Sequence, residues 1–175
     1  MAKSTFSGPV KSLAGFISAG SNATVSLTAD TTLTVDSHAG KVLLCNDADG
    51  KFTLPSINVN SNGATAGDND FNNLNNIGAS FHFYIETAAT DLDIKTDGTD
   101  KFIGSVANIN TTDNAVVAFV PGATNDVMTF NGTTTGGKIG SVVKVTAVDD
   151  NKYFVEGTNI CTTTAGNTAT VFADA

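Results

Sequence analysis

From residue 24 onward, short runs of alternating apolar and polar positions are separated by clusters of Asn, Asp, Gly and Thr, the pattern of strands joined by turns. The clearest run is Phe81, Phe83 and Ile85 interleaved with His82, Tyr84 and Glu86, a period of two that sends the first three inward. Strand-like runs also cover 24–28, 31–35, 41–45, 51–54, 91–95, 127–131, 141–148, 152–156, 160–164 and 168–172. Asn46-Asp47-Ala48-Asp49-Gly50 predicts a hairpin loop between 41–45 and 51–54, and Asp149-Asp150-Asn151 predicts another between 141–148 and 152–156. Asp97-Gly98 marks a further turn. Residues 115–120 are nearly all apolar, which predicts a strand buried on both faces. The Gly- and Thr-rich run 132–137 predicts a flexible connection, and no repeat of fixed period is visible.

Two segments depart from this pattern. Residues 1–20 scatter Phe6, Val10, Leu13, Phe16 and Ile17 among Gly8, Pro9 and Gly15, with neither helical period nor alternation, and Pro9 blocks a central strand. Two readings are open: a disordered terminus, as chain ends commonly are, or an extended arm that docks on a neighbouring molecule. Leaving such apolar side chains in water costs roughly 25 cal/mol per Å², which favours the arm. Phe6, Pro9, Val10, Leu13, Phe16 and Ile17 are then its partner-binding residues. The second segment, 58–76, is Asn-rich and lacks a sustained strand pattern. It predicts a long surface loop, with a short helical turn near 70–74. The expected organisation is an N-terminal arm over 1–20 and one β domain over 21–175 that contains this loop.

Composition supports the same class. The chain has 175 residues, enough for a domain that buries roughly 70% of its unfolded surface. It contains no Arg and no Gln, and Glu only at Glu86 and Glu156, so good helix formers are scarce while Thr, Asn, Asp and Gly are abundant. The fold expected is all-β, an antiparallel sandwich or barrel of jelly-roll type with an extended N-terminal arm. A net charge of −8 without a single Arg repels phosphate backbones and argues against nucleic-acid binding. No apolar stretch approaches a membrane span, and Met1-Ala2-Lys3-Ser4-Thr5 lacks the apolar core of a signal peptide. A soluble protein made in a cytoplasm is expected, with no membrane partner.

Candidate chemistry is sparse. His38 and His82 are the only histidines. Cys45 and Cys161 have strand-like flanks and predict two buried free thiols rather than a disulfide scaffold. A Cys45/His82/Asp or Ser/His/Asp set lacks any nucleophile-elbow context. His82, at an outward strand position, predicts a solvent-facing or interface residue. Asp47-Ala48-Asp49-Gly50 resembles the centre of a calcium loop, but Cys45 and Ser56 occupy the first and twelfth ligand positions, so the pattern fails. Asp91, Asp93, Asp97 and Asp100 are more simply solvated loop residues. No enzyme activity, metal or cofactor is expected.

A series of phrases, in order, carries a family resemblance. They are Thr5-Phe6-Ser7-Gly8-Pro9-Val10-Lys11-Ser12, Gly40-Lys41-Val42-Leu43-Leu44 before Phe52-Thr53-Leu54-Pro55, and Phe81-His82-Phe83-Tyr84-Ile85-Glu86-Thr87. Asp100-Lys101-Phe102-Ile103-Gly104, the run from Asn131 through Gly136-Gly137-Lys138 to Ser141, and Tyr153-Phe154-Val155-Glu156-Gly157 complete the series. In this order the chain resembles the decoration (cement) and head-surface proteins of tailed bacteriophages. The resemblance implies a β-rich, homotrimeric structural protein that binds the major capsid protein on the capsid exterior and stabilises the shell. Phe6 to Ile17 would be the docking element, and the protein would sit on the virion surface after synthesis in the host cytoplasm. The 58–76 insertion departs from the expected pattern. The alternative is an adhesive or carbohydrate-binding module of a fibre or spike, for which Tyr84, Tyr153 and the lack of Trp are a thin aromatic kit.

Overall fold

Period-two alternation resolves into twelve short strands within residues 19–59 and 75–175, the parts of the chain that the computed structural model describes. In chain order they are β1 (Thr24–Leu27), β2 (Thr31–Thr32), a one-turn helix α1 (Val35–His38), β3 (Val42–Cys45), β4 (Lys51–Thr53) and β5 (Ser80–Ile85). There follow β6 (Leu92–Lys95), β7 (Lys101–Asn110), β8 (Val116–Phe119), β9 (Val127–Phe130), β10 (Val142–Asp149), β11 (Lys152–Cys161), a 3-10 turn (Thr164–Asn167) and β12 (Phe172–Ala173). They form a seven-stranded sheet in the order β1-β3-β5-β10-β11-β7-β8 and a five-stranded sheet in the order β12-β9-β6-β4-β2. The predicted arm residues lie outside the described residues, as does 60–74 of the predicted loop.

The two sheets enclose one apolar core. Phe81, Phe83 and Ile85 all point into it, as their alternation requires. Phe52 of the smaller sheet stacks on Phe83 of the larger with ring centroids 6.4 Å apart, and Phe102 meets Phe172 at 6.3 Å. The all-β sandwich expected from the sequence is present. Both sheets are open at their edges, so there is no closed barrel, and their pairing is mixed rather than antiparallel throughout.

The first six strands explain the mixture. Odd strands enter the larger sheet and even strands the smaller, and β1-β3-β5 and β2-β4-β6 each pair in parallel. The chain therefore winds through three stacked coils. Val25, Leu43 and Phe83 share one register, and Leu27, Cys45 and Ile85 share the next. The hairpin predicted around 46–50 is in fact a crossover, because β3 and β4 lie in different sheets. Stacking gives β3 hydrogen-bonded partners on both sides, β1 and β5, and gives β4 both β2 and β6; a hairpin would give each only one new neighbour. Variable turn lengths hide this repeat from a search for a fixed period.

The second half contains two hairpins, β7–β8 and β10–β11. The predicted β10–β11 hairpin is present, with a bulge between Ala147 and Asp149 and Asn151 in the left-handed region at φ 57°. Alongside β11 runs β7, ten residues long and parallel to it, a strand that the sequence reading did not identify. β8 is not buried on both faces: it is the edge of the larger sheet, with Val116 65% exposed and Val120, just beyond it, 71%. Nor is 132–137 a loose connection. Gly132 donates its N–H to Gly136 O at 2.6 Å, and Gly136 and Gly137 are buried against Asn159 and Phe130. In place of the predicted strands at 160–164 and 168–172, the end of β11, the 3-10 turn and the two-residue β12 close the core.

Polar side chains anchor that closure. Asn159 is fully buried; its Oδ1 accepts from Gly137 N (2.7 Å), and its Nδ2 donates to Asn108 Oδ1 (2.8 Å) and Thr135 O (2.8 Å). Asn108 Nδ2 in turn donates to Gly166 O, and Asn110 Nδ2 to Thr163 O. A ladder of asparagines thus ties the 132–137 loop and the 3-10 turn to the central strands. Buried amides are stable only when satisfied in this way.

Candidate functional site: the outer face of the seven-stranded sheet

Strand register assigns the side chains on the outer face of the larger sheet to rungs. The first holds Ser80, Thr146, Phe154 and Ile103, and the second Thr24, Val42, His82, Lys144, Glu156 and Ser105. The third runs Ser26, Leu44, Tyr84, Val142, Thr158, Ala107 and Ala118, and the fourth Ile160, Ile109 and Val116. Val42, Val142, Phe154, Ile103 and Val116 are among the exposed large apolar residues of the described chain. A further rung sets Lys101 beside Lys152; Lys101 pairs with Asp126 at 2.6 Å, Lys152 with Asp149 at 2.7 Å and Lys144 with Glu156 at 3.1 Å, so each of these lysines is matched by a carboxylate.

The opposite outer face is built differently. On the smaller sheet, Lys51 sits between Asp91 (3.1 Å) and Asp93 (3.0 Å), Thr129 donates to Asp93, and Thr32, Thr53 and Lys95 share the adjoining rung. That is the usual polar exterior of a half-buried sheet. The exposed apolar side chains of the larger sheet are therefore a property of that face and not of overall composition. Several large apolar side chains exposed on one face mark it as a candidate interaction surface.

The residues considered for chemistry are dispersed. His38 closes α1: its Nδ1 accepts from Thr34 N at 2.9 Å, and burial holds its pKa below the usual value, so the neutral ring serves as a local cap. His82 stands on the outer face, 3.4 Å from Ser80 Oγ, as an outward strand position requires. Asp97 accepts from Thr99 N and Asp100 N, while Asp100 accepts from Ile57 N. Burial raises the Asp100 carboxyl above the ordinary range. Among the described residues no group of three or more His, Cys, Asp or Glu is arranged to hold a metal, and no helix is long and apolar enough to cross a membrane.

Cys45 and Cys161 are free and buried, as their flanks predicted. Burial pushes the Cys45 thiol up to about 12 and also raises Cys161, whose sulfur lies beneath Gly166. Since the thiolate is the reactive form, the native protein is expected to leave a chromogenic thiol reagent unconsumed. After denaturation both thiols should titrate. Rapid reaction of either one in the folded state would contradict this packing.

Phe6, Pro9, Val10, Leu13, Phe16 and Ile17 lie outside the described residues, so the structure does not bring them to any surface described above. The outer face itself was missed by sequence reading. Its members come from seven strands spread between Thr24 and Ile160, and only register brings them together. No family model matches the chain, and no curated protein or solved structure matches it.

Proposed function

We propose that this protein is a structural component of a bacteriophage particle, a homotrimer that binds the major capsid protein on the outside of the shell and reinforces it. The observation that carries a binding role is the set of exposed apolar side chains on the outer face of the seven-stranded sheet, where Lys101, Lys144 and Lys152 are each paired with a carboxylate, on a chain of net charge −8. The phage shell as partner rests on the ordered phrases from Thr5 to Gly157. The arm over 1–20, with Phe6, Pro9, Val10, Leu13, Phe16 and Ile17, is the proposed contact with the capsid. An acidic exterior suits a protein displayed at high local density, because like charge keeps particles apart.

Deleting residues 1–17 tests this reading. The truncated protein should keep its circular-dichroism spectrum and melting temperature but no longer co-sediment with capsids lacking the native protein. Binding at the full-length level would remove the arm from the mechanism. Failure of the full-length protein to bind any such shell would remove the decoration role itself.

The alternative, a sugar-binding module, draws on aromatic stacking and finds little to work with. Tyr153 is buried with its hydroxyl donated to Pro55 O at 2.6 Å, which leaves Tyr84 and Phe154 on separate rungs of the outer face.

A further inference from the structure

We infer that copies of this chain contact one another through the outer face of the seven-stranded sheet. The inference deepens the reading of the protein as an assembling structural component and rests on it for the number of copies. What it adds is the surface and the reason that surface fits a second copy.

Charge decides the occupant. Two copies of a chain at −8 repel wherever their acidic loops meet. Asp47 and Asp49 already press on one another in one connecting loop; their proximity raises the Asp47 pKa. Asp91 and Asp93 crowd onto Lys51 on the smaller sheet. The outer face of the larger sheet carries Lys101, Lys144 and Lys152, and each is neutralised by a carboxylate, Asp126, Glu156 and Asp149 in turn. A like-charged copy can approach this surface without setting unpaired carboxylates against each other. A strongly basic partner would find no excess of negative charge on it.

Size agrees. Seven strands at about 4.8 Å spacing make a face roughly 29 Å wide, and strands of four to ten residues give it a depth on the order of 20 Å. The projected footprint, on the order of 600 Å², approaches the roughly 800 Å² per partner of a standard stable interface once side-chain relief is counted. The chemistry is also that of an interface: Leu44, Tyr84 and Val142 share one rung and Phe154 and Ile103 another, with the Lys144–Glu156 pair between them and the paired Lys101 and Lys152 at the rim. Small Ala107 and Ala118 allow close approach of a second backbone. Three such faces turned toward a common axis would bury their apolar rungs and leave the charged smaller sheets outward.

Solution mass by light scattering tests the inference on the full chain and on V142E, F154E and T53E. The wild type is expected at three times the 17.8 kDa chain mass. Each face variant should fall threefold to the single-chain mass, and T53E, on the polar sheet, should stay with the wild type. A monomeric wild type, or face variants that keep the wild-type mass, would overturn it. Should V142E or F154E melt at a much lower temperature, spin labels at S105C and T53C in the otherwise intact chain replace them. Dipolar broadening at S105C and none at T53C supports the inference, and the reverse overturns it. The protein lacking residues 1–17 must retain the wild-type mass, since dissociation there would assign the contact to the arm. An oligomer held by this face that ignores capsids keeps the inference and removes the decoration role; a monomer that binds capsids does the opposite.

Discussion

Gly104→Ala is expected to lower the melting temperature by roughly 10 °C, a loss of about 3–5 kcal/mol, without changing the secondary-structure class. Gly104 sits in β7 opposite Val155 of β11, with φ at +108°, where a side chain is strained. A Cβ there would lie 2.1 Å from Val155 O. That atom belongs to the backbone of a central strand and has no rotamer by which to escape. The β7–β11 ladder would have to part locally, and each lost backbone hydrogen bond costs about 1 kcal/mol on top of the strain. Gly98→Ala is the control: its φ is +91°, but nothing lies within 4 Å of the added atom. Urea denaturation of both variants checks the account. Equal losses at the two positions would mean that strain alone matters and the contact with Val155 does not.

The second large effect is expected at Asn159. Replacing it with Leu keeps the volume but strands Gly137 N–H, Thr135 C=O and Asn108 Oδ1, all of which it now satisfies. Each buried group left without a partner costs about 1–3 kcal/mol, so a loss of roughly 3–5 kcal/mol is expected. The loss should be local in its first appearance. The Gly137 amide, protected in the native protein, should exchange with solvent faster than the amides of β10 under conditions where the variant is still folded. Unchanged stability in N159L would show that the 132–137 loop is held by packing and not by the asparagine.

These two positions also mark where the sequence was and was not legible. Phe81, Phe83 and Ile85 announced their strand because alternation is a local signal, and Asp149-Asp150-Asn151 announced its hairpin because a tight turn needs those residues. β7 gave no such signal. Gly104, Asn108 and Asn110 are turn-forming types, and their strand role follows only from contacts with Val155, Asn159 and the 3-10 turn. The loop at 46–50 was misread for a related reason. Asn, Asp and Gly suit a hairpin and a crossover equally, and the choice depends on β1 and β5, which lie elsewhere in the chain. The apolar residues of the outer face were each visible, but an exposed Val in one strand is unremarkable until register sets it beside Tyr84 and Leu44.

The parallel pairing of β7 with β11 has a consequence for how the chain reaches its fold. Lys101 must find Lys152, and Tyr84 must find Val142, so neither ladder forms until most of the chain has left the ribosome. The coils of β1–β4 close over short separations and are available early. They end, however, at β5, whose second edge waits for β10. Pairings so distant in sequence exact their loop-closure entropy before any contact compensates for it, which places folding in the slow, millisecond-to-second class of β proteins. In that interval Phe81 and Phe83 stand on an unfinished sheet. Nascent chains crowded together during synthesis would meet through that unpaired β5 edge first, making it the point where yield and aggregation compete.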